Sequence, residues 1–132
     1  MVRIFYQGKS TVLKGFTDTG NSLTEPFSGG PVAVCTKVSL QKILPREIKM
    51  SIADPEMSMT NGMKLVPCKT VSGSMLIPAF RPEKVILEKK GNRWEADDLW
   101  IGFSDYAPEG VLLMGKNIMF RKTNQLISEV LK

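Results

Sequence analysis

The chain has 132 residues, 42% of them hydrophobic and 23% charged, with a formal net charge of +5, two cysteines and no histidine. This is the length of one domain with a core of its own and an ordinary globular composition. The absence of histidine excludes Ser-His and Cys-His nucleophilic catalysis and His-based acid–base work, and two cysteines alone do not build a structural zinc site. No apolar run approaches the length of a membrane-spanning helix, and the N-terminus, Met1-Val2-Arg3-Ile4-Phe5-Tyr6-Gln7, has no signal-peptide pattern. Cys35 and Cys68 belong to no C-x-x-C motif and read as reduced, partly buried thiols of a cytosolic protein. The basic residues are scattered without interleaved aromatics. They read as a solvated surface, or one facing an acidic partner or membrane, and not as a nucleic-acid platform.

In chain order, residues 2–7 and 11–17 are rich in β-branched and aromatic residues, and Gly8-Lys9-Ser10 turns one into the other, which predicts a hairpin. The polar loop 18–22 follows, then a Pro/Gly-rich excursion over 24–31 and a short apolar strand at 32–35. Residues 38–44 pattern as a short helix that Thr36 could cap and Pro45 ends. The stretch 46–62 is the least regular, and its clustered methionines read as core filler within an insertion. Strands resume from Met63. A hairpin over 64–80 has its tip at Ser72-Gly73-Ser74, with Pro67 and Pro78 arguing for edge positions. Strands at 83–89 and 93–104 are joined by a turn at Lys90-Gly91-Asn92. The apolar run Val111-Leu112-Leu113-Met114 predicts a buried strand closed by Gly115, followed by a short helix over 117–121. Residues 123–132 suit a terminal helix or strand, with Leu126, Ile127, Val130 and Leu131 favouring the helix. Many short strands with two or three short helices predict a mainly-β, barrel-like domain spanning 1–132.

The chemistry concentrates at Asp18-Thr19-Gly20. An apolar strand delivers a carboxylate to a loop end, where Thr19 can brace the loop and Gly20 lets backbone pass close to a ligand. Amide hydrolysis by carboxylates needs two of them sharing one proton, one to activate water and one to polarise the scissile carbonyl. The chain has a single Asp-Thr-Gly, and Asp54, Asp97, Asp98 and Asp105 sit in turn-like or polar contexts. The second carboxylate therefore comes from a second copy across a two-fold axis. Asn21 and Ser22 would line the cleft. Val71, Ser72, Gly73, Ser74 and Met75 would form a hairpin flap over it, whose bland alternative is an exposed turn. Two motif matches fail. The segment from Gly110 to Asn117 approaches a phosphate-binding loop, but it lacks the final hydroxyl and its interior is apolar. Ser39-Leu40-Gln41-Lys42 matches S-x-x-K without the partner motifs of that class.

Residues Gly15 to Pro26, then Gly30-Pro31-Val32, the segment from Val66 to Pro82, Trp100-Ile101-Gly102-Phe103 and Gly110-Val111-Leu112-Leu113 resemble the protease half of the sporulation sigma-E factor-processing peptidases. More distantly the chain is similar to retroviral aspartic proteases, which share the single Asp-Thr-Gly, the flap and a segment like Leu113-Met114-Gly115-Lys116-Asn117. The resemblance implies a pepsin/retropepsin-like closed barrel, a homodimeric aspartic endopeptidase without a cofactor, and a sigma factor precursor as substrate. It further implies an activating protein partner and an N-terminal membrane-embedded half that holds the domain on the mother-cell side of the sporulation septum. This chain carries no such half, which makes it a catalytic fragment or a stand-alone relative. Ser22 stands where the retroviral pattern has an acidic residue, so Lys116 needs another partner, with Glu25 a candidate, and the segment between Cys35 and Val66 is long for a retroviral subunit. Two rivals use the same residues differently: a non-catalytic, partner-activated interaction module, and a basic nucleic-acid-binding barrel.

Overall fold

The computed structural model describes residues 1–54, 56 and 62–123. Its elements are β1 (Val2–Tyr6), β2 (Lys9–Thr17), β3 (Val32–Cys35), α1 (Arg46–Ile52), β4 (Lys64–Thr70), β5 (Gly73–Phe80), β6 (Lys84–Lys89), β7 (Asn92–Ala96), β8 (Trp100–Phe103), β9 (Val111–Met114) and β10 (Phe120–Lys122). The domain is mainly β. All the strands join one sheet in the order β10-β7-β6-β1-β2-β9-β3-β8-β5-β4.

Two hairpins follow from turn chemistry. Gln7 and Gly8 have φ of 48° and 78°, and Lys90 and Gly91 have φ of 51° and 78°. Successive positive values suit the type I′ turn, whose twist matches that of the flanking strands. They set the register Tyr6↔Lys9 in β1–β2 and Lys89↔Asn92 in β6–β7. β2 then changes partner. Lys9 to Leu13 pair antiparallel with β1, whereas Lys14 to Thr17 pair parallel with β9, from Lys14↔Val111 to Thr17↔Met114. β9 meets β3 at Val34↔Leu113, β3 runs parallel to β8, and β5 joins β8 through Ala79↔Gly102 and Phe80↔Ile101.

β3 and β8 are buried at every position, as strands covered on both faces must be. Ala33, Cys35, Ile101 and Phe103 join the larger core with Ile4, Leu13, Leu40, Ile43 and Leu112. There Phe80 stacks on Phe103 with ring centroids 5.6 Å apart, and Tyr6 meets Phe80 edge-on at 5.1 Å. Val32, Val34 and Trp100 join a smaller core with Val66, Ile77, Ala79 and Ala107.

Several expectations are corrected. The pairing order has two ends, β10 and β4, so among the described residues the ladder is an open sheet and not a closed barrel. The helix expected over 38–44 is a single 3-10 turn, Val38–Leu40. Pro45 opens a helix instead of ending one. With φ at −67° and no N–H to leave unpaired it stands at the cap of α1, inside the stretch read as irregular. The strand expected over 93–104 is broken at Asp97-Asp98, where Asp98 takes φ of 50°. The helix expected over 117–121 does not form: Asn117 is in a turn, 118–119 are irregular, and Phe120 and Arg121 enter β10, which pairs with Trp94 to Ala96 and places Arg121 Nε 2.7 Å from Asp97 Oδ1. Met57, Met59 and the terminal stretch 124–132 lie outside the described residues. Among the described residues no helix is long and apolar enough to cross a membrane, and no group of three or more acidic or thiol side chains could hold a metal ion.

Candidate active site

Asp18 begins where β2 stops. Its N–H donates to the Met114 carbonyl at 2.7 Å, extending the β2–β9 ladder by one residue. Its carbonyl accepts the Asn21 N–H at 3.0 Å, and its own Oδ1 accepts the Gly20 N–H at 3.1 Å. The main chain of Asp18 is thus fixed on both sides, its carboxylate accepts one backbone N–H, and the residue stays half-buried at the surface of the turn.

The loop is pinned from below. Asn21, only 8% exposed, donates through Nδ2 to the carbonyls of Val32 (3.4 Å) and Leu113 (3.5 Å) and accepts the Leu23 N–H at 3.0 Å. Asn117 Nδ2 donates to the Leu23 carbonyl at 3.1 Å. At Gly115 any Cβ would run into the Asn21 carbonyl oxygen, which is backbone and has nowhere to go. The end of β9 and the Asp18 loop can approach this closely only because that residue is glycine.

Glu25 organises the next loop. It is 1% exposed, and it accepts the N–H groups of Phe27 (3.0 Å) and Ser28 (2.8 Å) inside a turn closed by Thr24↔Pro31. Burial alone would raise its pKa. The two backbone donors, the Ser28 hydroxyl and the nearby Lys64 outweigh it and hold the carboxyl below its ordinary value. Glu25 is therefore committed to its own turn, and among the described residues Lys116 makes no ion pair.

Above the loop lies a cavity of about 450 Å³. Asp18, Gly20, Asn21 and Val71 line it, as do Leu23, Val34, Cys68, Lys69, Ile77, Ser104, Tyr106 and Leu113. The cavity opens on the smaller core, since Val34 and Ile77 belong to that core and Leu23, Cys68 and Leu113 pack against it. Asp18 and Lys69 are its charged lining residues. Other sequence-derived candidates stand elsewhere. Thr19 and Ser22 are exposed and do not line the cavity. The hairpin tip is Val71-Ser72, one step before the expected position, because Thr70 pairs with Gly73. Ser72, Gly73 and Ser74 lie outside the cavity, and Met75 lines another depression. Leu113 was within reach of sequence reasoning, because it sits beside the Met114-Gly115 step that underlies Asp18. Ser104 and Tyr106 follow β8 in a loop without motif or periodicity.

The profile of the peptidase family described as sporulation factor SpoIIGA matches residues 1–108, and the chain belongs to that family. The sporulation sigma-E factor-processing peptidase of Priestia megaterium is 27% identical over 113 residues. That alignment covers 78% of this chain, and the chain spans 37% of the length of that relative. No solved structure matches the chain.

Proposed function

We propose that this domain is an aspartic endopeptidase of retropepsin type. It would act as a two-fold homodimer and cleave the pro-segment of a sporulation sigma factor precursor. The observation that supports the reading is the placement of Asp18: a residue whose main chain is anchored on both sides, whose carboxylate accepts the Gly20 N–H, and which lines a largely apolar cavity with the β4–β5 hairpin beside it. Family membership and the name of the Priestia relative support the substrate class.

The mechanism follows from the chemistry of paired carboxyls. Two Asp18 side chains at contact distance hold one proton between them. The ionised one draws a proton from water, which attacks the scissile carbonyl. The protonated one donates to the carbonyl oxygen, giving a tetrahedral diol. Return of a proton to the leaving amine completes cleavage. Thr19 and Gly20 lie exposed beside Asp18, where a second copy would meet them. Gly20 offers its carbonyl to substrate backbone, Asn21 and Ser22 flank the cleft, and the segment from Val71 to Met75 closes over it. The membrane-embedded half implied for longer family members would raise the local concentration of the domain and favour pairing. An activating partner would act on the same equilibrium.

The test is incubation of the domain with a sigma factor precursor, with Asp18→Ala as control and sedimentation over a concentration range. Asp18-dependent cleavage by a dimer is expected. Cleavage that survives Asp18→Ala, or a strict monomer that cleaves, would end the reading.

A further inference from the structure

The β6–β7 hairpin carries charge differently at its two ends. At the end where β6 begins and β7 finishes, Arg81, Lys84 and Arg121 are each paired with a carboxylate of Glu95, Asp97 or Asp98. At the turn end, a depression of about 390 Å³ gathers Arg3, Lys89, Lys90 and Arg93 around one carboxylate, Glu88. Strand register puts them there: Arg93 lies opposite Glu88, and β1 brings Arg3 alongside β6 at Ile86. Glu88 is shared between Arg3 and Arg93, at 3.4 and 3.7 Å. Lys89 and Lys90 stand exposed at the turn and, among the described residues, enter no ion pair. Much of the chain's net charge of +5 is therefore concentrated at one turn.

We propose that this turn docks the domain on an anionic lipid bilayer. Four cations set around the turn match a surface of closely spaced negative headgroups, which attracts each of them over about one Debye length, ~10 Å. A protein partner suits the patch less well. Protein interfaces are centred on aromatic or aliphatic anchors and are depleted of lysine. Here the lining has no aromatic residue, and the side chains at the turn itself are Lys89, Lys90 and Asn92. The patch shares no lining residue with the Asp18 cavity. Its strands, β7, β6, β1 and β2, lie on one side of β9 in the sheet order, and β3, β8, β5 and β4 lie on the other. Docking therefore uses no residue of the cavity and does not depend on the chemistry at Asp18.

The experiment sediments the chain with phosphatidylcholine vesicles, with and without phosphatidylserine. Binding is expected only with phosphatidylserine, and it should fall as salt is raised. Changing Lys89→Gln and Lys90→Gln together should weaken it about 30-fold, at about fivefold for each charge. Lys89→Gln alone, expected to give about a fivefold loss, serves where the pair unfolds, and thermal melts separate the two cases. The pair Lys37→Gln and Lys42→Gln removes as much charge from exposed positions elsewhere and should change binding little. Asp18→Ala should bind vesicles as the unaltered chain does. Vesicle binding by a chain that cleaves nothing would remove the protease reading and keep the docking surface. Absence of binding to phosphatidylserine vesicles overturns the proposal, as does an equal loss in both lysine pairs, which would reduce it to net charge. Polyglutamate or duplex DNA that binds through Lys89 and Lys90 where vesicles do not makes the patch a protein or nucleic-acid contact, and overturns it too.

Discussion

The two structures that flank the cavity are built on opposite principles. The Asp18 loop is held on every side: its backbone bonds to Met114, Asn21 reaches two carbonyls from beneath, and Gly115 admits a contact no other residue would allow. The β4–β5 hairpin is held at its base. β5 joins β8 through Ala79 and Phe80 only, β4 is an edge of the sheet, and Val71 at the tip is fully exposed. A site that places a carboxylate within fractions of an ångström and still admits a chain of residues needs both kinds of construction. The anchored part fixes the chemistry, and the part attached at one end governs entry.

Substitutions can break this contrast in order of severity. Asp18→Asn keeps the shape of the loop and removes the charge. Cleavage of a sigma factor precursor should fall about a thousandfold or more with the melting temperature nearly unchanged. Gly115→Ala attacks the anchor. It should cost about 3 kcal/mol in urea unfolding, and the surviving folded protein should lose activity as Asp18 is displaced. Alanine at Gly73, in the hairpin, meets no atom but must adopt φ of 135°, so its penalty is backbone strain alone and should be smaller.

Glu25→Gln tests the buried turn beside the anchored loop. The fold holds this carboxyl below its ordinary value of 4.5, so the folded chain binds fewer protons than the unfolded chain between those two values. Its contribution is complete above about pH 4.5 and is lost as the pH falls through the lowered value. The variant should lose about 1–2 kcal/mol at neutral pH and show a flatter acid limb when urea midpoints are followed against pH. An unchanged acid limb would mean Glu25 is not a source of the acid sensitivity. The smallest effect separates the two cysteines. Burial pushes the Cys35 thiol up to about 12, whereas Cys68 in β4 is half-exposed on the cavity wall. Iodoacetamide on the native protein should label one thiol, Cys68, and two only after denaturation.

Local physics made part of this legible in the sequence. The β1–β2 and β6–β7 hairpins were readable because Gly8 and Gly91 mark their turns, and β9 because four apolar residues end at a glycine. The tight packing of Gly115 beneath the Asp18 loop was readable for the same reason. The open sheet was not readable, because strand composition does not say whether the last strand finds the first. Pro45 was misplaced because proline serves both ends of helices, and the choice rested on tertiary packing of Ile48 in the larger core. The residues 120–122 became a strand by pairing with Trp94 to Ala96 of a distant hairpin, which no local window contains. At the candidate site, the motif residues were legible and the apolar wall was not, because Val34, Ile77 and Leu113 converge only through the order of strands.

The change of partner within β2 also fixes a timetable. Its first half closes on β1 within a few residues, whereas its second half waits for β9, which is synthesised nearly a whole domain later. Until Gly115 docks, Asp18 hangs on an unfinished edge. Long-range parallel pairing of this kind closes slowly. Pulse-labelled hydrogen exchange during refolding should protect the Asp18 N–H after the amides of the β1–β2 hairpin, and simultaneous protection would remove the argument. A nascent chain would then expose its acid early but not yet shaped for work, a delay written into strand order alone.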